Sequence, residues 1–165
     1  MDYALAKNNP FSQAAFLKTF DQLVAETAAL ITELMPWDLA EKLQSRQDLL
    51  LVDVRENEEF ITMRIGGSIN VPRGILEAAS EFGYDETEPL LAAARDREIV
   101  VICRSGKRSC LAAHSLQQLG FTCVASLKTG LRGWNDFDQP LADKNNLLID
   151  GDDAEQYLRP KTLSV

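Results

Sequence analysis

Cys103 is followed by cations at Arg104, Lys107 and Arg108, with Ser105 and Gly106 between them, in the stretch "VVICRSGKRSC" from Val100 to Cys110. A cysteine at the end of an apolar run can be no more than a small buried hydrophobe. These neighbours favour a different chemistry. Gly106 permits a tight curl that turns successive amide N–H groups inward to form an anion-binding nest. A helix starting just after the loop adds its own free N–H groups and partial positive charge. With the three cations, these features predict a thiolate at Cys103, the nucleophilic form of the residue. Residues Arg104 to Arg108 are expected to hold its negative charge.

The flanking segments must hold that loop in place. "IVVIC" (Ile99 to Cys103) is a short continuous apolar run, as are "LLLVDV" (Leu49 to Val54) and "TCVAS" (Thr122 to Ser126). Runs of this kind separated by helical segments predict parallel strands buried on both faces. "RSCLAAHSLQQLG" places Ala112, Ala113, Leu116 and Leu119 on one side, with Gly120 as C-cap, which makes a strand–loop–helix–strand unit with a right-handed crossover. Ligands of open α/β sheets gather beyond the carboxyl ends of the strands, where Cys103 and Asp53 fall. Upstream, Phe16, Phe20, Leu23, Val24 and Leu30 recur at helical spacing, with Ser12 after Pro10 as the expected N-cap. The apolar stripe of that helix needs cover, from the domain behind it or from a second subunit in a dimer. A strand near Ile31 and a helix opening at Pro36 follow. A Gly-Gly turn, a brief "INV" strand and two helical stretches fill the middle. The acidic segment after Pro140 is expected to be a peripheral tail.

The chain of 165 residues has room for one well-cored domain, and its 45% hydrophobic and 25% charged content is that of an ordinary globular protein. A net charge of −8 argues against nucleic acid and anionic membrane as partners. No secretory leader and no apolar run of membrane-spanning length is evident. Three cysteines without a CxxC pair form no disulfide framework and predict a reducing compartment, the cytoplasm.

"CRSGKR" resembles the six-residue active loop of the rhodanese-type sulfurtransferases. The similarity extends to "LLLVDVRENEEF", "GGSINVPRG" and "LKTGLRGWNDFDQPL", in the family's order, from about Ile31 to Leu141. The resemblance implies an α/β domain on a parallel five-stranded sheet flanked by helices, here residues 31–141. Residues 1–30 would be an added helical extension and 142–165 a tail. It implies that Cys103 takes the outer sulfur of thiosulfate or a persulfide donor and passes it to a thiophilic acceptor, such as a sulfur-acceptor protein, with neither cofactor nor metal. The amides of Arg104 to Arg108 would cradle the persulfide, and the side chains of Arg104, Lys107 and Arg108 would draw in the donor. Asp53, Arg55 and Glu59 would be supporting residues, and Trp134 core or pocket wall. One departure is "MRIGGS", where Arg64, Gly66 and Ser68 replace the family's His, Pro and Ala.

Competing chemistries fit less well. Cysteine phosphatases and arsenate reductases need arginine six residues after the cysteine. Here that residue is Ser109, and Arg108 is the fifth. Cys110 and His114, four apart on one helix, lack the further ligands a zinc site takes. Cys110 could serve as a resolving thiol, although it sits about two helical turns down the helix, and Cys123 is expected to be core. A binding, scaffold or sulfur-relay carrier module on the same fold is the main alternative.

Overall fold

The computed structural model describes residues 17–45 and 48–161. Five parallel strands form one sheet in the order β1-β5-β4-β2-β3: β1 Thr32–Leu34, β2 Leu49–Asp53, β3 Ile69–Asn70, β4 Glu98–Ile102 and β5 Cys123–Leu127. The apolar runs read from the sequence are its three central strands. Their side chains alternate between two cores, because successive residues of a strand face opposite ways. Leu50, Val52, Val54, Ile99, Val101 and Cys103 enter one core. Leu51, Val100 and Ile102 enter the other.

Helices cover both faces. On the first side, α6 (Lys107–Gln118) buries Ala112, Ala113 and Leu116, beside the short helices α4 (Leu76–Ala79) and α5 (Pro89–Ala92). On the second lie α2 (Pro36–Gln44), α7 (Gly130–Asp136) and α8 (Gly151–Leu158). Between β2 and β3 runs α3 (Asn57–Thr62), and a 3₁₀ turn, Arg73–Ile75, leads into α4. Pro36 opens α2 as its first helical residue, where a missing N–H costs nothing. Gly120, at φ +87°, ends the turn after α6. None of the described helices is long and apolar enough to cross a membrane.

Two expectations need correction. Ser12, Pro10 and Phe16 lie outside the described residues, and the described N-terminal helix, α1 (Phe20–Ala28), is capped by Thr19. Thr19 Oγ1 accepts from Gln22 N at 3.1 Å and Gln22 Oε1 from Thr19 N at 2.9 Å, a reciprocal capping box. α1 lies on α6 but covers little of its own stripe, leaving Phe20 52% and Leu23 42% exposed. The acidic segment after Pro140 is not peripheral either. α8 buries Ala154 and Leu158 in the second core. These two are one helical turn apart and form a narrow apolar stripe, while Asp150 caps the helix and Asp152 and Asp153 sit favourably in its first turn.

Candidate active site

Cys103 follows the last residue of β4 and is 1% exposed. Its Sγ is ringed by hydrogen-bond donors. Gly106 N–H lies 3.1 Å away and Ser109 N–H 3.3 Å. The Ser109 hydroxyl is a further 3.3 Å contact and accepts in turn from Ser126 Oγ at 2.8 Å. Both serines are fully buried. A hydroxyl can rotate to donate or accept. With sulfur ionised, Ser126 donates to Ser109 and Ser109 to the thiolate, so the chain of donors ends on the charge.

The loop is shaped for this from behind. Gly106 has φ +87°, a left-handed turn that brings its amide onto the sulfur, and a Cβ there would press on Thr129 N at 2.9 Å. The carbonyls of Cys103 and Arg104 face the other way. They accept from Leu131 N at 2.9 Å and Arg132 N at 3.1 Å, in the first turn of α7. Gly130 lets that turn approach closely, since a Cβ on it would overlap the Cys103 carbonyl.

The charged side chains do not gather on the sulfur. Arg104 reaches to the end of α8, donating to Leu158 O at 2.9 Å and to Arg159 O. Lys107 pairs with Asp21 of α1 at 2.6 Å and sits over the Phe20 ring. Arg108 holds both oxygens of Glu59, at 2.8 and 2.9 Å. The hydrogen bond from Arg108 pulls the Glu59 carboxyl below its usual range despite partial burial, and raises the guanidinium in return. All three cations are thus engaged with other elements. For the two half-buried arginines, an unpaired guanidinium near the core would cost more than a tethered one; Lys107 makes an exposed ion pair. Ser105 is half-buried in the loop.

Asp53 and Arg55, both fully buried, form one ion pair at 2.7 Å beside the loop. Arg55 also donates to Met63 O at 2.5 Å and Glu59 O at 3.3 Å, tying α3 to the end of β2. Trp134 is 2% exposed in the second core and donates Nε1–H to Pro140 O at 2.9 Å. Arg64, in the place of the family's histidine, turns to the tail at Lys144 O and Asn146. Cys110 is buried under α1, its Sγ 3.7 Å from Val24 O, and burial pushes its thiol up. Cys123, expected in the core, is exposed because it opens β5 at the amino edge of the sheet.

Sequence reasoning missed Ser126 and the hydroxyl of Ser109. It also missed Asn70, whose Nδ2 donates to Asp53 O and Arg55 O at 3.0 Å each. Serines and an asparagine inside otherwise apolar segments were the available signal, since buried polar side chains are retained where they have partners.

Comparison with known proteins agrees with this architecture. The family model described as the rhodanese-like domain matches residues 36–137. A candidate sulfur carrier protein of Bacillus subtilis, YrkF, is 32% identical over 120 residues, covering 72% of this chain; the chain spans only 59% of that relative's length. A Rhodopseudomonas palustris structure, described as a protein of unknown function and possible tyrosine phosphatase, superposes with a TM-score of 0.67 at 28% identity, covering 74% of this chain and 93% of the other. The thiosulfate sulfurtransferase of Pseudomonas aeruginosa gives a TM-score of 0.61 at 25% identity, covering 82% of this chain and 25% of the other. With more than half its length matched by the family model and its five-stranded parallel sheet in common, the chain belongs to the rhodanese-like domain family.

Proposed function

We propose that this protein is a sulfurtransferase that carries sulfane sulfur on Cys103. The thiolate attacks the outer sulfur of thiosulfate, forming a Cys103 S–S bond. The bond from that sulfur to the sulfonate breaks, and both its electrons leave with sulfite. A thiophilic acceptor then attacks the outer persulfide sulfur and regenerates the Cys103 thiolate. Negative charge is conserved in each half, so neither step requires an oxidant or a cofactor. A persulfide donor enters by the same displacement.

One observation carries the reading: the Gly106 and Ser109 amides both donate to Cys103 Sγ, and the Ser109 hydroxyl, able to turn its proton toward a thiolate, lies 3.3 Å from it. They suit a thiolate and its persulfide, which alternate through the cycle. The acceptor is a small thiophile or a protein thiol, in the reducing environment of the cytoplasm. Phosphatase chemistry is disfavoured because the residue six beyond the cysteine is Ser109 and the nearby Arg108 is held by Glu59. The carrier alternative has its own support in the tethered cations, which leave the loop less suited to rapid turnover of a dianion.

Steady-state transfer from thiosulfate to cyanide distinguishes them. A ping-pong enzyme gives parallel double-reciprocal lines, and Cys103→Ser abolishes turnover while the fold persists. Turnover that survives Cys103→Ser would refute the assignment.

A further inference from the structure

Arg73 holds a polar atom that the fold leaves unsatisfied. Its Nη1 is buried without a hydrogen-bond partner, and no ion pair involves Arg73 among the described residues. Unsatisfied buried nitrogens are rare in native proteins, and each calls for a reason. The comparable atom, Arg97 Nε, belongs to a guanidinium already paired with Asp48 at 2.7 Å, at the amino end of the sheet.

Arg73 lies at the opposite, carboxyl end. Its amide donates to Val54 O at 3.0 Å, and Val54 N donates to Ile102 O at 2.9 Å, the residue before Cys103. Two strand spacings of about 4.8 Å thus separate its backbone from the start of the Cys103 loop, and an arginine stem covers most of that distance. Val71 and Leu76, on either side of Arg73, pack in the same core as Cys103. Next to it in the chain, a Cβ on Gly74 would meet nothing within 4 Å, so the backbone beside Arg73 borders open space.

A dianionic donor needs a cation at its sulfonate end while its outer sulfur meets the thiolate. Arg104, Lys107 and Arg108 are each occupied elsewhere. We propose that Arg73 is the positioning residue that holds the oxyanion end of the donor, a sulfonate-type dianion such as thiosulfate, across the mouth of the Cys103 loop. A guanidinium presents paired N–H groups that fit two oxygens of such an anion. The proposal rests on the sulfurtransferase reading and names the group that selects its substrate.

The test compares Arg73→Met and Arg73→Lys with the unaltered protein. Arg73→Met should raise KM for thiosulfate at least about tenfold with kcat within about twofold, since it removes ground-state capture and leaves the thiolate site intact. Arg73→Lys should recover to within about threefold. The thermal midpoint of Arg73→Met should hold or rise, because an unsatisfied nitrogen is gone. An unchanged KM overturns the proposal. So does an equal loss with an alkyl persulfide donor that carries no sulfonate. A binding measurement separates this from the parent reading: thiosulfate should stabilise full-length Cys103→Ser against heat, and not the Cys103→Ser, Arg73→Met double variant. If the unaltered protein turns nothing over but this difference persists, the sulfurtransferase reading fails and the Arg73 site stands. Equal stabilisation of both, or of neither, overturns the Arg73 site.

Discussion

The groups in contact with Cys103 Sγ are neutral. Two backbone amides and a hydroxyl meet the sulfur, while the cations that surround it in sequence are tied to Glu59, Asp21 and the end of α8. Fixed dipoles of this kind act without having to reorganise during the reaction. The Ser109 hydroxyl is the donor that substitution can remove. A hydrogen bond to a charged group is worth about 1.5–3 kcal/mol, so Ser109→Ala should lower kcat/KM for thiosulfate by roughly ten- to a hundredfold. Ser126→Ala, one bond further from the sulfur, should cost less. Steady-state kinetics on both variants, with thermal melts to confirm folding, measure this. Equal losses in the two would mean the serines act only on the core.

Elements hold the loop from three sides. β4 delivers Cys103, α6 begins at its rim, and α7 binds the outward carbonyls of Cys103 and Arg104. α3 adds a strap through Glu59 and Arg108, which joins it to the first turn of α6. The Glu59 carboxyl is held below its usual range, so the pair stabilises the fold above about pH 4.3, the ordinary glutamate value. That contribution disappears as pH falls through the lower folded-state value. Side chains a quarter to a third exposed limit it to about 1 kcal/mol. Glu59→Gln should therefore lose about that much at neutral pH and show a flatter acid limb when unfolding is followed by denaturant from pH 7 to pH 3. An unchanged acid limb would show that the bidentate pair contributes nothing to the fold.

For the molecule as a whole, the sequence was most legible where hydrophobicity is locally continuous. The runs at Leu49, Ile99 and Thr122 pointed to buried strands, and the cysteine loop between strand and helix followed from them. The charge pairing was not legible, because the partners lie far apart in the chain: Arg108 is 49 residues from Glu59, Lys107 is 86 from Asp21 and Arg104 is 54 from Leu158. A local reading could only assign those cations to the substrate. α8 was hidden for another reason, since two buried residues among acids give a weak pattern until the sheet supplies a surface for them. The polar chain from Ser126 through Ser109 joins β5 to α6 and needed the crossover in three dimensions to be seen. The central claim, that Cys103 carries sulfur, is tested most directly by intact-mass spectrometry of the full-length protein after incubation with thiosulfate. The account predicts a gain of one sulfur atom, mapped to Cys103, released by cyanide and absent from Cys103→Ser. No mass gain, or a sulfur found on Cys110 or Cys123 with Cys103 unmodified, would contradict it.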